Sequence, residues 1–275
     1  MKKILTNRSN NETSRLASYW KKKGVSDGVD MIKFFDGFNF QFLEYGNWIN
    51  QPERIDSLRR ILLSCDTVLY PLFGSKNLGL DKNISVAIGG RGYGSRVAGH
   101  FEPSTLFINL AKNTVDVPKP MVSLYAFGHE YFHGLDYFLG RYVEPVKFCN
   151  YLSQSWDNTQ AWKYPIRNAM SELLLAYYET SQSNPMYMKG IRNKDYWESP
   201  QECFARISEQ CLCLYAENLS IRKKVLNYIT RPSSFYSQRS NVYVPDSLLP
   251  DIYAKWIEVV KLIGTSMKDK TKKTR

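Results

Sequence analysis

The sequence predicts an α+β domain, and three observations predict it. Strand-like patterns lie within the first 110 residues, helical patterns dominate from about residue 120, and the two do not alternate as a wound βαβ sheet requires. Taken in order, Phe38, Phe40 and Phe42 alternate with polar residues up to Glu44, the period of a half-buried strand, before a turn at Gly46-Asn47. Residues 52–69 predict an amphipathic helix. Pro52 suits its first turn, and Ile55, Leu58, Ile61, Leu62, Cys65, Val68 and Leu69 form one stripe. Strands are expected over 84–88 and 105–110, on either side of a glycine-rich turn. A helix over 120–140 has Pro120 at its start and Gly140 at its end. Further helices fit 166–181, 199–217, 220–230 and 247–263.

The chain has 275 residues, 43% of them hydrophobic and 14% aromatic, which supports a sizeable core and excludes a low-complexity chain. No run of about 18 apolar residues exists, so no membrane span is expected. The start, MKKILTNRSNNETS, lacks the apolar stretch of a secretory signal. Five cysteines without framework spacing are expected to be reduced thiols, so a cytoplasmic location is expected. The net charge is +11. Residues 1–23 hold seven Lys/Arg against Glu12, and residues 268–275 hold five against Asp269, so nearly all of that charge lies at the ends. The expected organisation is a basic segment over 1–23, one domain over 24–267 and a basic tail over 268–275. Such ends suit contact with nucleic acid or acidic partners; solvated tails are the plainer reading.

The helix over 120–140 contains His129-Glu130-Tyr131-Phe132-His133, an HExxH motif. Histidines four apart stand on one helical face, so both imidazoles can reach one Zn2+ ion. The adjacent glutamate can then take a proton from a polarised water. A third ligand is needed. Glu202 is the candidate, but Ser199 to Glu202 with Pro200 between them also fits a helix capping box, and spacing alone does not separate the two. Glu209, two turns on, is a runner-up ligand or a carboxylate that orients a histidine. His100 has no characteristic spacing. Asp136, one turn beyond His133, suits accepting a hydrogen bond from a ligand imidazole. Tyr196 suits donation to a developing oxyanion, although nineteen tyrosines make that choice arbitrary on chemistry alone.

Several blocks in order carry a family likeness. They are Glu44-Tyr45-Gly46-Asn47-Trp48, Gly90-Arg91-Gly92, His100-Phe101-Glu102-Pro103, Phe107-Ile108-Asn109-Leu110, the HExxH helix continuing to Leu135-Asp136, and Glu202-Cys203-Phe204-Ala205-Arg206. Over about residues 36–217 they resemble the large polyvalent protein-associated domain of the first type, found in proteins of phages and conjugative elements. The two metal blocks are also similar to those of the anthrax lethal factor type of zinc peptidase. That resemblance implies a zincin-like domain with a small sheet whose edge beside the cleft is the strand at 105–110, His129, His133 and Glu202 as zinc ligands, and Glu130 as general base. It matches Tyr196 approximately to a catalytic tyrosine. The implied function is a zinc metallopeptidase of a phage or mobile element, acting on a protein or peptide substrate. The alternative is a non-catalytic zinc-containing protein of such an element that binds nucleic acid or protein.

Two weaker motifs are expected to be structural. Gly89 to Gly94 misses the dinucleotide-binding spacing and lacks the ending of a phosphate loop, so a turn is expected there. Cys211-Leu212-Cys213, inside a helix, is expected to pack rather than bind metal.

Overall fold

Short, apolar strands and long, amphipathic helices share one core in the computed structural model. It describes residues 18–23, 28–47, 49–89, 97–113, 121–219 and 223–273. The fold is α+β, with a small mixed sheet and mostly helices. Trp48, the glycine-rich turn from Gly90 on, Pro120 and the basic residues 1–17 lie outside the described residues.

The sheet contains β1 (Leu43–Tyr45), β2 (Ser85–Ile88), β3 (Gly99–Glu102) and β4 (Phe107–Leu110), in the order β1-β2-β4-β3. β1 and β4 both run parallel to β2, whereas β3 is antiparallel to β4. Every residue of β2 is buried, as expected of a strand covered on both faces. This order corrects one expectation. The strand at 105–110 is interior, and the edge is β3, which the sequence does not announce because Gly99-His100-Phe101-Glu102 is too short and polar to alternate. The first strand is also shorter than its aromatic alternation suggests. Asn39 turns the chain at φ +58°, so Phe38 and Phe40 both enter the core while Phe42 is left 59% exposed.

Helix α1 (Gly28–Asp36) precedes β1 and was not foreseen. Helix α2 (Gln51–Ser64) begins at a capping box between Asn50 and Glu53, with Pro52 in its first turn. It widens into a π turn over Cys65–Leu69 and ends in α3 (Tyr70–Phe73), stopped by Gly74 at φ +60°. A small hairpin follows the sheet: β5 (Lys112–Asn113) and β6 (Met121–Val122). The helix expected over 120–140 therefore starts later, as α4 (Phe127–Tyr142). Gly140 does not end it. A Cβ there would lie 2.4 Å from the backbone N of Leu152, so the glycine serves the close approach of residues 151–152.

Helices α5 (Pro165–Ser183) and α7 (Pro200–Asn218) fall where expected, with the single turn α6 (Lys194–Trp197) before α7. Residues 220–222 of the helix expected at 220–230 lie outside the described residues; the described part is helical over α8 (Lys223–Leu226) and turns after it, and α9 (Ser233–Ser237) follows. The last helix, α10 (Leu249–Lys273), runs through most of the expected basic tail. The core centres on α4, whose Phe132 meets Phe204 of α7, Trp256 of α10 and Phe73. All five cysteines are free, and Cys203, Cys211 and Cys213 are buried in α7 as packing residues. Among the described residues, no helix is long and apolar enough to cross a membrane.

Candidate metal centre

Helical spacing in α4 stacks His129 and His133 one turn apart on the face that meets α7. Their Nε2 atoms are 3.1 Å apart. The first turn of α7 brings Glu202 against them, with Oε1 3.5 Å from His129 Nε2 and Oε2 3.4 Å from His133 Nε2. The geometry removes the capping-box reading of Glu202. Ser199 is the N-cap residue, but its hydroxyl donates to the Tyr196 carbonyl at 2.8 Å, and no side-chain capping bond forms. The buried Glu202 carboxylate is turned to the histidines instead.

These three residues offer donor atoms that all lie within 4.8 Å of one another and could hold a metal ion. A tetrahedral ion with bonds of about 2.0–2.1 Å holds its ligand atoms about 3.3–3.4 Å apart. The Nε2–Nε2 separation of 3.1 Å is near that spacing and Glu202 offers one oxygen to each imidazole, at 3.5 and 3.4 Å, so the donor set converges closely enough to hold an ion. His100 is not part of this group.

Electrostatics bind the cluster together. Burial alone raises the Glu202 carboxyl, but hydrogen bonds and charge from His129 and His133 outweigh it and hold the group well below its ordinary range. Burial likewise opposes protonation of His129, yet Glu202 and Glu209 outweigh it and hold that imidazole well above its ordinary value. Glu209 stands behind His129: its Oε2 is 3.5 Å from Nδ1, on the opposite side of the ring from Glu202. The Tyr243 hydroxyl donates a short hydrogen bond to the other oxygen of Glu209. Nothing in the sequence spacing marks Tyr243, which lies thirty-four residues downstream of Glu209.

Asp136 departs from its expected role. It is fully buried, but its oxygens accept from the Ser153 N–H at 2.9 Å and the Ser153 hydroxyl at 2.6 Å, not from a histidine ring. Burial pushes its carboxyl up to about 6 against those bonds. Ser153 belongs to a loop organised by Arg167, a buried guanidinium whose acceptors include the carbonyls of Gly140, Glu144 and Tyr151.

A cleft of about 390 Å³ opens in front of the donors, lined by Gly99, His100 and Phe101 from the edge strand and by Tyr151, Tyr196 and Gln201 opposite. Glu130 lies in the same lining and is largely buried. Gly99 makes room for it, since a Cβ there would meet Glu130 Cγ at 3.0 Å and the Asn109 carbonyl oxygen at 2.9 Å. Burial raises the Glu130 carboxyl, partly offset by the nearby histidines, His100 among them. Tyr196, on α6, is 58% exposed at the rim. Its hydroxyl is pushed upward by burial and by its charge and hydrogen-bond interaction with Glu202. Arg206 ties this rim to α7 by donating to the carbonyls of Trp197 and Val242, a role that the sequence pattern does not reveal.

The chain matches no family model, no curated protein and no solved structure.

Proposed function

We propose that the protein is a zinc-dependent metallopeptidase with a zincin-like domain, belonging to a phage or mobile element as its motif likeness implies. The observation that carries this reading is the convergence of donor atoms from His129, His133 and Glu202, all within 4.8 Å of one another, on a cleft that also presents Glu130. Two imidazoles and one carboxylate suit zinc, and three protein ligands leave a coordination position for reaction. Bound there, the ion supplies a Lewis acid for a substrate carbonyl and acidifies water.

The chain's own groups do the rest. Glu130 takes the proton released from water and returns it to the leaving amine; its raised carboxyl pKa suits a group that must hold a proton between those steps. Tyr196 is placed at the rim to donate to an oxyanion as charge develops there. The peptide would lie extended along β3, adding to the sheet edge through main-chain hydrogen bonds.

The test begins with elemental analysis of purified protein, alongside Glu202→Ala and Glu130→Gln. Near one zinc per chain is expected, lost in Glu202→Ala and kept in Glu130→Gln. Glu130→Gln should lower hydrolysis of a quenched peptide mixture by at least a hundredfold. Full hydrolysis by that variant would reject the mechanism, and zinc retained without Glu202 would reject the ligand set.

A further inference from the structure

We infer that the face formed by Tyr125, Arg231, Phe235 and Arg239 is a binding surface for the phosphodiester backbone of nucleic acid, outside the lining of the metal cleft. The Arg231 guanidinium carbon lies 3.7 Å from the Tyr125 ring centroid and 4.3 Å from that of Phe235. Arg239 lies over the same Phe235 ring at 4.0 Å. Two guanidinium groups thus share one aromatic ring. Among the described residues, neither side chain forms an ion pair or donates a hydrogen bond within the chain.

The surrounding sequence deepens the imbalance. Residues 218–245 contain Arg222, Lys223, Lys224, Arg231 and Arg239 and no acidic residue. Stacking on a ring occupies the flat face of a guanidinium and leaves its in-plane N–H donors for an anion. The arrangement therefore holds two guanidinium groups beside one ring, each with N–H donors that can meet an anion. A nucleic acid strand presents a row of negative phosphates that suits neighbouring cations, and phosphate oxygens match the fork bidentately. The surface is anchored to the protein's interior. Phe235 and Tyr236 pack on Tyr243, and the Ile229 carbonyl accepts from Gly128 N–H at 2.8 Å.

The experiment is fluorescence anisotropy of labelled 20-nucleotide single-stranded DNA, single-stranded RNA and duplex DNA with the full chain, at several salt concentrations. Binding that weakens with salt is expected for at least one of the three. The Arg231→Gln/Arg239→Gln double variant should bind that probe at least tenfold more weakly. For a single strand, its log–log salt slope should be shallower by about 1.4, two phosphates at about 0.7 each. Arg239→Gln alone, at an exposed position, should melt as the parent does and lose about half of that slope. The single variant decides the matter if the double variant does not fold. The inference is overturned by absence of binding, by unchanged affinity and slope in the variants, or by equal displacement with polyglutamate of the same charge.

Discussion

At the scale of single residues, Asp136 shows how burial converts a sequence expectation into a different physical role. Its spacing from His133 is that of a carboxylate serving a ligand, but Ser153 occupies its oxygens. Folding lifts its carboxyl from an ordinary 3.8 to about 6, so between those values the folded chain holds a proton that the unfolded chain has released. Stability attributable to this group therefore falls as pH rises through that window, by up to roughly 3 kcal/mol. Denaturant unfolding of metal-free protein at pH 4 and pH 7 should show Asp136→Asn gaining on the parent as pH rises. A constant difference between the two would contradict the assignment. Glu202 illustrates the converse. Ser199, Pro200 and Glu202 satisfy a capping box and a ligand position equally well in sequence, and only the packing of α7 against α4 turns the carboxylate inward.

At the scale of elements, what was legible follows from periodicity. The long helices α2, α4, α5, α7 and α10 carry apolar stripes, and β2 and β4 carry compact apolar runs, so their existence could be read directly. The HExxH pair was legible because helical spacing alone fixes its geometry. Elements too short for a period were not. The edge strand β3, with the Gly99 that admits Glu130, carries no such period, so β4 looks like the edge in sequence although it is interior. The same limit hid the segment after α9, whose Tyr243 reaches Glu209 through tertiary packing. That segment now supports a specific expectation. Tyr243→Phe deletes one hydroxyl and leaves Glu209 with one hydrogen bond fewer, loosening its hold on the His129 ring. Zinc affinity should fall by about 10- to 100-fold in a competitive chelator titration, with secondary structure unchanged. An unaltered affinity would show that Tyr243 serves packing alone.

At the scale of the whole molecule, the proposed zinc ligands come from α4 and α7, the two helices that form the centre of the core. An ion held there links helices that the aromatic contact of Phe132 with Phe204 already joins, so its removal should be felt throughout the fold. A ligand at 1,000 times its dissociation constant stabilises by about 4 kcal/mol, and a domain of this size shifts by about 2–4 °C per kcal/mol. Calorimetry before and after chelation should therefore show a fall of about 8–16 °C in Tm, absent in Glu202→Ala. The effect should also depend on pH with a definite sign. In the stripped protein, His129 has a raised pKa, so its contribution is fully present below the unfolded value of about 6.5 and is lost as pH rises through the higher folded value. Zinc requires the same imidazole without its proton, so the loaded protein gains over that range. The gap in Tm between loaded and stripped protein should therefore be wider at pH 8 than at pH 6. A gap that does not widen with rising pH would mean that the ion displaces no proton from His129, and would remove that histidine from the ligand set.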